Sequence, residues 1–132
     1  MRIWIPRLLI AIVTAWNLQA AVAFIASPGS FVHAYELSGI TGEAAVRGVG
    51  VLLLMWNVPY LFAVAHPIRY KFAVLLALLM QSTGLIGEGY IFFTLPVQHE
   101  ILRSSILRFI GFDGIGFLLL LSAWLLLRKQ EG

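Results

Sequence analysis

Four long runs of apolar residues, joined by short polar connections, occupy most of this 132-residue chain. Each run reaches the length of about 20 residues that a helix needs to cross the hydrocarbon core of a bilayer. The runs cover about residues 5–26, 44–65, 72–95 and 101–127. Because backbone groups in lipid must hydrogen-bond within their own segment, each run is expected to be helical. The pattern predicts an all-α, polytopic integral membrane protein, with one four-span domain over residues 1–132 that folds as an antiparallel four-helix transmembrane bundle.

The amino-acid composition excludes several classes of protein and of binding site. Hydrophobic residues make up 61% of the chain and charged residues 11%, whereas a soluble domain has about 25% charged residues. The net charge is +3, but the basic residues lie at the ends of the apolar runs, so there is no basic stripe for nucleic acid. The absence of cysteine excludes disulfides and thiolate metal sites. None of the three histidines lies deep in a run, so we expect no haem, metal or other cofactor.

The basic residues also predict an orientation. They precede the first run, fill the second connection and follow the fourth run, at Arg2, Arg7, Arg69, Lys71, Arg128 and Lys129. With four spans these three places share one side of the membrane. The opposite side has Glu36 and Glu43 at the first connection, and Glu100 with Arg103 at the third. The positive-inside rule then places both termini in the cytoplasm, and we expect the membrane to be the bacterial cytoplasmic membrane.

The first run also has the pattern of a signal peptide. A basic start is followed by an apolar centre, Leu8 to Trp16, and by Ala21-Val22-Ala23 as a cleavage site. We expect the segment to be retained and to act as the first span.

Charged residues inside the runs are the candidates for function, because a charge at membrane depth costs about 2.5–3.5 kcal/mol unless it meets a partner or water. They are Arg47, Glu88, Arg108 and Asp113. From the 1.5 Å rise per residue, Glu88 and Arg108 lie roughly 10 Å below the outer boundary. We expect Glu88 to pair with Arg47 or Arg108, and Asp113 to reach a carbonyl, Asn17 or Gln19, or to be protonated. Further polar positions in the runs are Asn17, Gln19, Asn57 and Gln81.

The polar cluster has three interpretations: a structural ion-pair network, a polar pocket or proton-accepting site open to the outer face, or a contact with another subunit. Small residues predict where helices approach closely. They are Gly48 and Gly50 on the second run, Gly84 and Gly87 on the third, and Gly111, Gly114 and Gly116 on the fourth. Pro59 predicts a kink in the second run. Tyr60 lies near a run end and suits an aromatic belt.

The first connection, residues 27–42, is the longest. It fits either an irregular loop or a short interfacial helix, with Ser30 as its N-cap and Gly39 as its end.

The layout resembles the DoxX-like group of small four-helix membrane proteins. The resemblance is carried by an outer connection ending Tyr35-Glu-Leu-Ser-Gly39 and by Arg47-Gly-Val-Gly-Val-Leu-Leu-Leu, which opens the second run. It implies a compact four-helix bundle. Some members of the group are regarded as subunits of quinone-linked oxidoreductases, but no functional residue carries over to this chain.

Two functions follow as expectations. The first is a non-catalytic accessory or structural subunit of a larger membrane complex, whose partners are the lipid bilayer and other membrane subunits. The alternative is a binder or transporter of a small molecule, lipid or quinone, with a polar pocket around Glu88. A membrane enzyme is the least favoured, because the sequence presents no catalytic set.

Overall fold

The computed structural model describes residues 3–132, and helices and turns without strands make up that range. Arg2, one of the residues behind the expected orientation, lies outside it. The helices are α1 (Trp4–Ala26), α2 (Gly39–Trp56), α3 (Val58–Ala65), α4 (Lys71–Thr94) and α5 (Glu100–Lys129). Helices α2 and α3 together form one segment, so the described chain has four helical segments long and apolar enough to cross a membrane. The all-helical fold expected from the sequence is confirmed.

The second segment is broken at Asn57, as the position of Pro59 predicts. Proline lacks an N–H and its ring clashes with the preceding turn, so α2 ends at Trp56 and α3 begins at Val58. The Asn57 amide donates to the Leu53 carbonyl at 2.7 Å and satisfies an acceptor at the end of α2. Helix α2 also begins earlier than the apolar run, at Gly39, whose φ of +69° suits glycine.

The first connection contains two short 3₁₀ turns, Pro28–Ser30 and His33–Tyr35, in place of a capped interfacial helix. Ser30 ends the first turn, and Glu36 ends the second in the left-handed conformation with φ of 54°. The Tyr35 ring packs against Phe24 of α1 and Phe109 of α5, with centroid distances of 6.0 and 6.1 Å. The connection is therefore folded over the ends of α1 and α5.

The buried core joins α1, α3, α4 and α5. Its fully buried members are Ile10, Val13, Tyr60, Ala63, Val74, Ala77, Leu120 and Ala123. Large apolar side chains also face outward along every segment; Phe93, Trp4, Ile86 and Phe72 are each at least 70% exposed. The helices are thus apolar on both their inner and outer faces, which is typical of membrane spans.

Two glycines, neither of them Gly87, make the closest helix contacts. A Cβ at Gly50 would lie 2.9 Å from the Ala21 carbonyl oxygen, so Gly50 sets the approach of α2 to α1. A Cβ at Gly116 would lie 2.5 Å from the Gln81 amide nitrogen, which places Gly116 at the crossing of α4 and α5. Nothing lies within 4 Å of such an atom at Gly87, Gly111 or Gly114. The expected crossing at Gly87 is therefore wrong, because that residue is on the outward face of α4.

Polar contacts tie the connections together at both ends of the molecule. At one end Lys71 pairs with Glu131, and the Arg7 guanidinium donates to the Val64 carbonyl at 2.8 Å. At the other end Glu36 contacts His99 at 3.1 Å.

Candidate functional site

A chain of hydrogen bonds crosses the interior from α3 through α4 to α5. The Tyr60 hydroxyl lies 2.6 Å from Oε1 of Gln81 and 3.2 Å from the Ala77 carbonyl oxygen. The Gln81 amide nitrogen in turn donates to Asp113, at 3.1 Å to its carbonyl and 3.3 Å to Oδ1. Since a hydroxyl donates to the amide oxygen, the amide N–H groups must point at Asp113. Tyr60 thereby fixes which way Gln81 faces.

Tyr60 belongs to this network and not to an aromatic belt, because only 1% of its surface is exposed. The depth of Tyr60 in the second run is the sequence signal that could have identified it as a buried, hydrogen-bonded residue. Five residues before the end of α3, it lies roughly 8 Å inside the span, where a hydroxyl needs a hydrogen-bond partner. Ala77 and Gln81, four residues apart on α4, supply that partner on one helix face.

The network ends in a pair of carboxyl groups. The carboxyl groups of Glu88 on α4 and Asp113 on α5 lie within interaction distance of each other. The Oε2 atom of Glu88 is buried, and no N–H or hydroxyl group of the described residues donates to it. A hydrogen bond between two carboxyl groups needs a proton on one of them.

The expected ion pair of Glu88 with an arginine is not formed. The described residues make two ion pairs, Lys71 with Glu131 and His99 with Glu36. Arg47 instead donates to the Ile25 carbonyl at 3.1 Å, where α1 ends and its carbonyls lack helical partners. Arg108 donates to the Ser105 hydroxyl at 3.1 Å, one turn back along α5. Of the four expected charged residues, the structure brings Glu88 and Asp113 into direct contact.

Tyr35 of the first connection lies near Arg108 and Glu88. Ser105 joins α5 to the first connection, its hydroxyl donating to the Ala34 carbonyl at 2.5 Å. Burial raises the pKa of Tyr35 to about 12, while the neighbouring Arg108 lowers it and Glu88 raises it. Tyr35 therefore shares its surroundings with Arg108 and Glu88.

A second polar contact joins α1 to the break in the second segment. The Asn17 amide donates to Oδ1 of Asn57 at 3.0 Å, and Asn57 is 1% exposed. Two of the expected polar positions are thus paired with each other. Gln19 lies at an exposed position of α1, so the expected contact of Asp113 with Asn17 or Gln19 is not formed. The amide that meets Asp113 is that of Gln81, in the network described above.

Comparison with known proteins yields no relative: the chain matches no protein-family model, no curated protein and no solved structure. The DoxX-like resemblance stays a prediction. In residues 3–132, no group of three or more histidine and acidic side chains could hold a metal ion.

Proposed function

We propose that the chain is an integral protein of the bacterial cytoplasmic membrane, an antiparallel four-helix bundle with both termini in the cytoplasm. Four helical segments of spanning length and apolar outer faces support membrane insertion. Contacts of Lys71 with Glu131 and of Arg7 with Val64 hold the basic segments at one end, as alternating helix directions require. The positive-inside rule assigns that end to the cytoplasm.

Within this bundle, we propose a proton-accepting binding site at Glu88 and Asp113. The observation that carries this proposal is the contact between two carboxyl groups inside the apolar segments, to which no arginine or lysine of residues 3–132 is paired. Ionisable groups at this depth are expensive and usually mark a pathway for protons, ions or substrates. Tyr60 and Gln81 hold Asp113 in place from the core side. Glu88 is the member of the pair that lies nearer the proposed outer end of the bundle.

The ligand class follows from the chemistry of the pair. A carboxyl pair that holds a proton can donate one hydrogen bond and accept others, which suits the polar head of a small molecule, lipid or quinone. The function that the geometry supports best is therefore the binding or transport of such a molecule, linked to proton exchange with the outer side.

Infrared spectroscopy of the protein in lipid nanodiscs tests the proposal, because a protonated carboxyl has a C=O stretching band that a carboxylate lacks. The wild type at neutral pH is expected to show this band. Glu88→Gln should remove it, and its amide can still donate to Asp113 as the protonated acid does. Glu100→Gln, at an exposed acid that begins α5, should leave the band unchanged. A wild-type spectrum without the band would refute the site.

An accessory role in a membrane complex is the second candidate, and the outward face of α4 favours it. Ile86, Tyr90 and Phe93 are 73%, 72% and 84% exposed beside the bare Gly87. A large apolar surface next to a small residue suits the close packing of another transmembrane helix. Affinity purification of a tagged chain from native membranes is the test. Recovery of a stoichiometric partner that Gly87→Leu releases supports the role, and recovery of the chain alone contradicts it.

A further inference from the structure

An apolar groove of about 340 Å³ lies on the surface between α3 and α4, far from the carboxyl pair. Its walls include Val58, Pro59, Phe62, Phe72, Ala73 and Leu76, with Arg69 and Tyr70 at the connection between the helices. The break at Asn57 sets the direction of α3, and the small Ala73 leaves room opposite it. The groove therefore begins at the polar connection and extends along the apolar helices for roughly 9 Å, the rise from Ala65 back to Pro59.

Arg69 supplies an uncompensated positive charge at the polar end of the groove. Its side chain is exposed and takes part in neither of the two ion pairs found in residues 3–132. The guanidinium lies 5.5 Å from the centre of the Tyr70 ring, and the Tyr70 ring packs against Phe62 at 5.4 Å. The aromatic contact holds the charge beside the groove. Lys71, the next basic residue, instead forms an ion pair with Glu131 and a cation–π contact with the Trp124 ring.

We propose that this groove is a binding site for an anionic phospholipid. The Arg69 guanidinium binds the headgroup phosphate, for which its planar donors are well suited, and one acyl chain lies between Phe62 and Leu76. Charge complementarity selects this occupant, because the groove joins one free cation to an apolar trough at the depth where phosphates and acyl chains meet. The inference rests on the proposed membrane insertion and is independent of the site at Glu88.

Native mass spectrometry in mild detergent, with added phosphatidylglycerol or phosphatidylcholine, tests the site. The wild type is expected to retain phosphatidylglycerol more strongly. Arg69→Gln should weaken that retention about fivefold, as expected for one basic residue at the headgroup level. Arg128→Gln removes the same charge from an exposed position outside the groove and serves as the control. An equal loss in both variants would show general attraction to the basic end and would overturn the proposal.

A second variant separates the groove from the charge. Ala73→Phe fills the trough while keeping Arg69, and it should reduce retention of both lipids. Unchanged lipid binding in Ala73→Phe would also overturn the proposal. The finding that a second copy of the chain, rather than lipid, occupies the groove would overturn it as well. Membrane insertion is measured separately, by resistance of the protein to alkaline extraction from membranes, so a failure of either inference can be distinguished from a failure of the other.

Discussion

At the scale of single residues, the Tyr60 hydroxyl determines the direction of the hydrogen bonds that cross the interior. It has one proton, and donating it to Gln81 leaves the Gln81 amide nitrogen for Asp113. Asp113 Oδ1 thus accepts a hydrogen bond from the core side. In the proposed site, the proton shared by the carboxyl pair then lies on Glu88 or on the other oxygen of Asp113. A phenol on α3 thereby restricts where a proton resides between α4 and α5.

Tyr35 predicts a dependence of stability on pH. Burial raises its pKa from 10.0 to about 12, so the folded protein keeps the phenol protonated where the unfolded chain has begun to lose its proton. Below about pH 10 both states are protonated and the contribution is complete. As pH rises from 10.0 towards 12, the free energy of unfolding should fall. Thermal unfolding in detergent over this range measures the loss.

Tyr35→Phe keeps the ring contacts with Phe24 and Phe109 and removes the titrating group, so its melting temperature should fall less steeply across that window. Tyr90→Phe is the matched control, because Tyr90 is 72% exposed. Equal slopes for the two variants would show that Tyr35 does not contribute the pH dependence.

At the scale of helices, α2 illustrates that position on a face decides what a glycine does. Gly48 and Gly50 are two residues apart, and residues with that separation lie on different sides of a helix. A Cβ at Gly48 would meet nothing within 4 Å, whereas one at Gly50 would lie 2.8 Å from the Ile25 side chain and 2.9 Å from the Ala21 carbonyl oxygen. The backbone of α1 cannot yield as a flexible side chain could.

Gly50→Ala should therefore separate α1 from α2 and lower the free energy of unfolding by about 1–3 kcal/mol, the usual cost of overpacking. Gly48→Ala makes the same chemical change without a clash and should be neutral or stabilising by up to about 1 kcal/mol, because alanine favours helix. Melting temperatures of the purified variants in one detergent compare the two. If Gly48→Ala is the more destabilising, the assigned face of α2 is incorrect.

At the scale of the molecule, the apolar runs predicted the four helical segments because length and hydropathy are local properties of the chain. Pro59 predicted the break in the second segment for the same reason. The partners of Glu88 could not be predicted, since they depend on how far each helix is rotated about its axis. That rotation is set by contacts such as Gly50 on Ala21 and Gly116 on Gln81. Sequence spacing likewise placed Gly87 on an inner face, whereas the rotation of α4 turns it outward.

The proposed orientation of the chain in the membrane can be tested at the connections and at the C-terminus. Single cysteines at Ser38 and Val97 lie in exposed positions of the first and third connections, and those at Ile68 and Gln130 lie in the second connection and near the C-terminus. Because the chain has no cysteine of its own, each substitution gives an unambiguous signal. In intact cells a membrane-impermeant maleimide should label Ser38→Cys and Val97→Cys. It should label Ile68→Cys and Gln130→Cys only after the membrane is opened, since the proposed orientation places the basic end in the cytoplasm. Labelling of Ser38→Cys and Gln130→Cys from the same side would exclude four spans, and labelling with the sides exchanged would invert the proposed orientation.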